Sequence, residues 1–365
     1  MNLRQRYALL IIILCLAILA LPSLLRWKAL FSLSTSRRDS EVKGERGQRM
    51  ERNEALVAVK NRPGGIEAPT YMEVRQKRRQ EHLLRSCSAL EFQDTPEPRR
   101  NLSRDQLSGL QHTFVIDHLR LLYCYIPKVS CTNWKRLFLV SKGYFPSVDV
   151  IKNAHVEAQR AFRTLSQLST KKANLKLRSH PHFMFVRNPF SRLLSAFREK
   201  IENRDPTKCY FSKYMTRWFA KTNPSYLVNR SPSSPYNFTE FVRYAISRRV
   251  DNEHWNDQYQ LCSPCLVKYD FIGKYETLME DADYFLRTVV NDSSLSFPAP
   301  QKRPTHSSDD EIMELYYRQI SDRDLSALTK CLYTDMRLFG YAIPDSVKRV
   351  RIHSSAKHLR LIDIG

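Results

Sequence analysis

The chain has 365 residues, with 59 Lys+Arg against 37 Asp+Glu and a formal charge of +22. A content of 42% hydrophobic and 11% aromatic residues supplies a real core and excludes wholesale disorder, while the length allows one large domain or two. Its nine glycines form no G-x-G-x-x-G and no G-x-x-x-x-G-K-[ST], and H-E-x-x-H and paired C-x-x-C units are missing, so a standard dinucleotide fingerprint, a Walker loop and a recognisable zinc site are excluded. The positive charge calls for an anionic partner.

Residues 1–7 are expected to be a cytoplasmic tail. From Ala8 to Leu25 run eighteen uncharged, mostly aliphatic residues between Arg4 and Arg6 on one side and Arg26 and Lys28 on the other. A bilayer needs roughly 17 to 25 such residues, whereas a cleaved signal peptide has a shorter apolar stretch and a small-x-small site. The segment is therefore expected to be a single transmembrane signal anchor. N-x-[ST] triplets at Asn101, Asn229, Asn237 and Asn291, together with eight cysteines, favour a lumenal, oxidising location for the chain beyond the anchor.

Residues 26–112 are expected to form a lumenal stem, largely disordered, because between Arg37 and Arg100 only Tyr71 and Phe92 are aromatic and Arg, Lys, Glu, Gln and Pro accumulate. A short helix is expected near Tyr71 to Leu84. Dense apolar patterning starts near Phe114 and marks a globular domain over 113–345, followed by a basic C-terminal tail over 346–365.

Within that domain Leu121–Ile126 reads as a strand buried on both faces. A turn follows at Pro127–Cys131, then Thr132 as N-cap and a helix from Asn133 to Gly143. His182–Val186 is a second strand, leading to Asn188 as N-cap and Pro189 at the first helical position. Phe190, Leu193, Leu194 and Phe197 fall on one apolar stripe of that helix, with Ser191, Ser195 and Arg198 off it. A third unit runs from a strand at Leu266–Ile272 to a capping box Thr277-x-x-Glu280 and a helix reaching Val290. This alternation predicts an α/β fold, with a central, mainly parallel sheet flanked by helices.

In such sheets anions bind where strands end and helices begin. The first turn offers Lys128, Ser130, Thr132 and Asn133; the second offers Arg187 and, farther along its helix, Ser191 and Ser195. Two anion cradles on adjacent turns suit a nucleotide carrying phosphates at both ends of its ribose. Trp134 reads as core packing rather than adenine stacking. Lys135 and Arg136 remain open between a solvated helix face and substrate contacts.

The segment Tyr123–Arg136 resembles the 5′-phosphosulfate-binding segment of the Golgi carbohydrate sulfotransferases that act on chondroitin, dermatan and terminal N-acetylgalactosamine, and Phe185–Phe197 resembles their 3′-phosphate-binding segment. Asn252-Glu-His-Trp255, Cys262-Ser-Pro-Cys265 with Tyr269–Leu278, and Leu338-Phe-Gly-Tyr341 extend the likeness over roughly Thr113 to Pro344. Family members usually carry an acidic residue where Asn188 stands and Glu where Ser191 stands.

The resemblance implies a sulfotransferase fold related to P-loop proteins and transfer of a sulfuryl group from 3′-phosphoadenosine 5′-phosphosulfate to a sugar hydroxyl, without a metal, in the Golgi lumen. The 4-hydroxyl of N-acetylgalactosamine in a glycosaminoglycan or terminal glycan is the expected acceptor. Another sugar, such as terminal glucuronic acid, is the alternative, and a non-catalytic polyanion-binding protein is a third reading; nucleic acid is not expected as a partner. By the same resemblance Pro127, Lys128, Val129, Ser130, Cys131, Thr132 and Asn133 hold the phosphosulfate, with Lys128 at the bridging oxygen. Arg187, Asn188, Pro189, Phe190, Ser191, Arg192, Leu193, Leu194 and Ser195 hold the 3′-phosphate.

A base is needed for the acceptor hydroxyl. His155, which resembles in position the His-Val base of related uronyl sulfotransferases, is preferred to His254, whose neighbour Trp255 suits a sugar ring. Seven cysteines lie beyond the anchor; setting aside Cys124 and Cys131 leaves an odd number, and Cys87 is expected to join two chains as a disulfide-linked homodimer.

Overall fold

The computed structural model describes residues 70–92, 101–247, 252–292, 294–298 and 305–354. The anchor expected over 8–25 lies outside the described residues, and no helix among them is long and apolar enough to cross a membrane.

Short apolar runs without polar alternation make strands that must be covered on both faces. Four form one sheet: β1 (Thr113–Ile116), β2 (Leu121–Cys124), β3 (His182–Val186) and β4 (Phe271–Lys274), in the order β1-β2-β3-β4. β1 runs antiparallel to β2, while β2–β3 and β3–β4 are parallel, with Tyr123 opposite Phe183 and Phe183 opposite Phe271. The helices are α1 (Tyr71–Ala89), α2 (Arg104–Ser108), α3 (Cys131–Ser141), α4 (Ala154–Ala161), α5 (Thr170–Ser179), α6 (Pro189–Lys200) and α7 (Tyr210–Thr222). They continue with α8 (Pro224–Val228), α9 (Phe238–Ser247), α10 (Gln258–Cys262), α11 (Leu278–Phe285), α12 (Asp310–Tyr317), α13 (Asp322–Phe339) and α14 (Asp345–Ser354).

Two apolar clusters result. One surrounds the sheet, with Trp134 of α3 fully buried against Phe183, Phe185 and Phe297, so the tryptophan is a core residue as expected. The other is helical. The Phe190, Leu193, Leu194, Phe197 stripe of α6 packs there, Phe190 against Tyr317 and Phe197 against Phe238 and Phe241. Helix α6 therefore starts at the sheet and buries its stripe in the second cluster. Even its off-stripe Ser191 and Ser195 are buried.

Several expectations are corrected. Part of the expected stem is helical: Tyr71–Ala89 forms α1, which packs on β4 and α13. Its Arg75 and Arg79 pair with Asp281, 2.7 and 2.8 Å away and wholly buried, and Arg79 also donates to the Ile272 carbonyl. A polar helix is held here by charge and by a disulfide rather than by a broad apolar face. The cysteine expectation fails for the same reason: Cys87 is bonded within the chain to Cys265, and Cys124 to Cys262, so neither is available for an interchain link.

Thr132 does not cap α3. The helix opens at Cys131 with Ser130 in the left-handed region, φ 59°, at the cap position. The third strand is later than expected, at Phe271–Lys274, because the bridged Cys262–Cys265 segment turns and ties the Tyr269 hydroxyl to the Cys262 carbonyl. Thr277 makes no capping box; its hydroxyl donates to Asp281, and the helix ends at Phe285 in a π-turn over Leu286–Val290. The tail expectation is trimmed as well, since α14 forms and buries Val347 and Val350 in the helical cluster.

Candidate active site

Strands β2, β3 and β4 deliver three turns to one end of the sheet, where a cleft of about 550 Å³ opens. Pro127, Lys128, Ser130, Cys131, Thr132 and Asn133 line it from the first turn, and Arg187 and Ser195 from the second; both His155 and His254 reach it. Val129, Asn188, Pro189, Phe190, Ser191, Arg192, Leu193 and Leu194, although expected in the site, do not line it. Several of them make contacts within the protein. Phe190, Leu193 and Leu194 fill the helical core, and Asn188 caps α6 through Phe190 N–H at 3.0 Å. The Ser191 hydroxyl is buried against Met313. Arg192 donates to the carbonyls of Pro127, Asn256 and Glu253 at 3.0, 2.6 and 2.8 Å, and so clamps the first turn to the segment bearing His254.

The first turn is tight. Lys128 and Ser130 have φ of 71° and 59°, a left-handed backbone that non-glycine residues adopt at a cost and that recurs at functional sites. This bend points the start of α3, with its free N–H groups, into the cleft. The Lys128 ammonium is buried and ion-paired with Glu199 at the end of α6. Burial pushes the lysine pKa down against the pull of Glu199. Burial would raise the Glu199 pKa, yet Lys128 and Lys200, the latter 2.8 Å away, bring it down to about 2.

Arg187 is 3% exposed and has no carboxylate on its fork: Nη1 donates to the Lys128 carbonyl at 3.1 Å, and Nη2 to the hydroxyls of Ser307 and Ser308 at 3.0 and 2.8 Å. Its Nε is buried without a partner. Gln258 fixes the Arg187 backbone, accepting from its N–H and donating to its carbonyl, both at 2.9 Å. The Ser195 hydroxyl meets Thr305 Oγ1 at 3.1 Å, which meets Ser307 at 2.8 Å. A buried guanidinium bonded only to neutral oxygens, two of them hydroxyls, has the donor set of a phosphate site.

The two histidines differ in tautomer. Asn252 Oδ1 accepts from the His254 backbone N–H at 3.0 Å, so it is an oxygen; it must also accept from His254 Nδ1 at 2.7 Å, which leaves Nε2 with a free lone pair. Burial, with Lys200 and Lys128 nearby, lowers the His254 pKa to about 3. In His155, Nε2 meets Thr132 Oγ1 and Nδ1 meets Lys135 Nζ, each at 3.1 Å. Burial and Lys135 lower its pKa to about 4. Trp255 does not line the cleft; it is 2% exposed among Phe211, Phe241 and Tyr244.

Sequence reasoning missed Glu199, Lys200, Tyr275, Glu276, Leu278, Met279, Phe297 and Thr305 on the cleft wall. Tyr275, whose ring lies 4.0 Å from the Arg187 guanidinium, carried the one readable signal, an aromatic at the end of the third strand. Among the described residues no cluster of His, Cys, Asp and Glu could hold a metal ion.

A family model described as the sulfotransferase family matches residues 111–342. The chain is 37% identical over 253 residues to carbohydrate sulfotransferase 11 of Rattus norvegicus, covering 66% of this chain and 70% of that protein. It is 33% identical over 302 residues to carbohydrate sulfotransferase 12 of Xenopus laevis (76% and 71% covered), and 34% identical over 295 residues to carbohydrate sulfotransferase 14 of Homo sapiens (79% and 75%). No solved structure gives a match.

Proposed function

Because this chain belongs to the sulfotransferase family, and its relatives are carbohydrate sulfotransferases, we propose that its cleft moves a sulfuryl group from 3′-phosphoadenosine 5′-phosphosulfate to the 4-hydroxyl of N-acetylgalactosamine in chondroitin, dermatan or a terminal glycan. The chain is a carbohydrate sulfotransferase. The observation that carries the donor assignment is the pair of anion cradles on neighbouring turns, joined by the bond from Arg187 to the Lys128 carbonyl.

In this reading Arg187, Ser195 and Thr305 take the 3′-phosphate, and the first turn takes the phosphosulfate. The acceptor oxygen attacks sulfur, the bond from sulfur to the bridging oxygen breaks, and the electron pair leaves on the 5′-phosphate. The charge that grows on the bridging oxygen is met by Lys128, whose ammonium stabilises the transition state more than the ground state. The hydroxyl proton goes to a ring nitrogen with a free lone pair. That description fits His254 Nε2 and not His155, both of whose nitrogens are engaged, so the preference drawn from sequence is reversed.

We further propose a Golgi membrane protein of type II, with the anchor over 8–25 and a lumenal catalytic unit. Two intrachain disulfides and four exposed N-x-[ST] asparagines support an oxidising compartment. Incubation with radiolabelled sulfate donor and a panel of desulfated glycans, followed by digestion to disaccharides, tests the acceptor. Label on the 4-position of N-acetylgalactosamine is expected; label confined to terminal glucuronic acid would replace that acceptor.

A further inference from the structure

Lys135 follows Trp134 on α3 and is 2% exposed, although it was open to reading as a solvated residue. Its ammonium lies 3.7 Å from the centroid of the Tyr125 ring and 5.5 Å from that of Phe114. Among the described residues no carboxylate comes within ion-pair distance; Glu253 acts on it only through space. A buried ammonium without a close counter-ion is costly, and an apolar side chain of similar volume would pack against these aromatic rings at less expense. The charge therefore calls for a use.

Its single hydrogen-bond partner among the described residues points to one. An ammonium has donors and no lone pair, so at 3.1 Å His155 Nδ1 is the acceptor and the neutral imidazole carries its proton on Nε2. That Nε2–H is donated to Thr132 Oγ1 at 3.1 Å. Thr132 then has its own proton free for the cleft it lines. Every bond in the chain Lys135, His155, Thr132 runs in one direction, from the aromatic core towards the site.

We propose that Lys135 is a positioning residue of the donor site: acting through His155, it makes the Thr132 hydroxyl an obligate hydrogen-bond donor to the phosphosulfate and sets a fixed positive charge behind it, without touching the substrate. The proposal rests on the donor assignment made above, and it gives His155 a task other than accepting the acceptor's proton.

The test is a double-mutant cycle on the full chain, reading equilibrium affinity for 3′-phosphoadenosine 5′-phosphosulfate in the absence of acceptor. Lys135→Met and Thr132→Val should each weaken donor binding about tenfold, and the double variant should bind no worse than the weaker single one, because both remove the same bond. The acceptor KM should not change. Long-range proton–nitrogen NMR should show His155 as one neutral Nε2–H tautomer in the parent and a mixture in Lys135→Met. Additive losses, or parent-like donor affinity in Lys135→Met, overturn the proposal. Should Lys135→Met fail to fold, the cycle of His155→Gln with Thr132→Val applies the same criterion. A parent chain that binds no donor would instead sink the assignment on which the proposal stands.

Discussion

The guanidinium of Arg187 donates across 3.1 Å to the main-chain carbonyl of Lys128. The residue that would grip one end of the donor thus also braces the turn that presents the cation for the other. Arg187→Ala is expected to weaken donor affinity and lower turnover together, whereas Lys128→Ala should chiefly lower turnover; each loss should exceed tenfold, or ~1.4 kcal/mol. Arg187→Lys should not rescue, since a point ammonium cannot serve three acceptors with a planar fork. Initial-rate kinetics with varied donor checks both.

Glu199 holds Lys128 in an ion pair, which a donor bound at the first turn would have to share. Glu199→Gln should therefore lower the donor KM severalfold; a raised KM would mean that the carboxylate aims the lysine instead.

The same pair has a pH signature. Glu199 has its pKa depressed to about 2, so its contribution to stability is present above the unfolded carboxylate value of ~4.3 and is lost as pH falls through about 2. The difference in urea midpoint between the parent and Glu199→Gln should be constant from pH 7 to 5, shrink below that, and vanish near pH 2.

If His254 is the base, His254→Ala should cost ~10² to 10⁴ in turnover, with donor binding intact. His155→Ala should act mainly on donor affinity. Because burial holds His254 neutral down to about pH 3, the acid limb of kcat/KM should lie well below 6.5. Turnover loss in His155→Ala alone would exchange the roles.

Asp281 serves Arg75, Arg79, the Lys274 N–H and the Thr277 hydroxyl, and is fully buried. Asp281→Asn takes from Arg79 the carboxylate it pairs with and leaves Arg75 with Glu280 alone, and about 3–5 kcal/mol of stability should go. Chemical denaturation measures it, and limited proteolysis should show α1 released first.

What could be read in advance was local. The runs Leu121–Cys124 and His182–Val186 and the donors of the turns after them are written in adjacent residues, and the structure brings Lys128, Thr132, Arg187 and Ser195 to one cleft. What escaped was long-range. Arg75 and Arg79 look like solvated stem until Asp281, about two hundred positions later, is beside them. Gln258, Thr305 and Ser307 act on Arg187 from other segments, and no spacing announces them. Cysteine parity counted thiols but could not pair them. Lys135 was legible as a cation, yet its burial depends on Tyr125 and Phe114 closing over it.

The bridge from Cys87 to Cys265 also decides where the protein can be cut. A protease acting between Phe92 and Asn101 would break the polypeptide, but both pieces would remain one covalent molecule until reduced. An expression fragment for crystallisation should therefore begin before Tyr71, with α1 and its bridge in place, and not at the first strand.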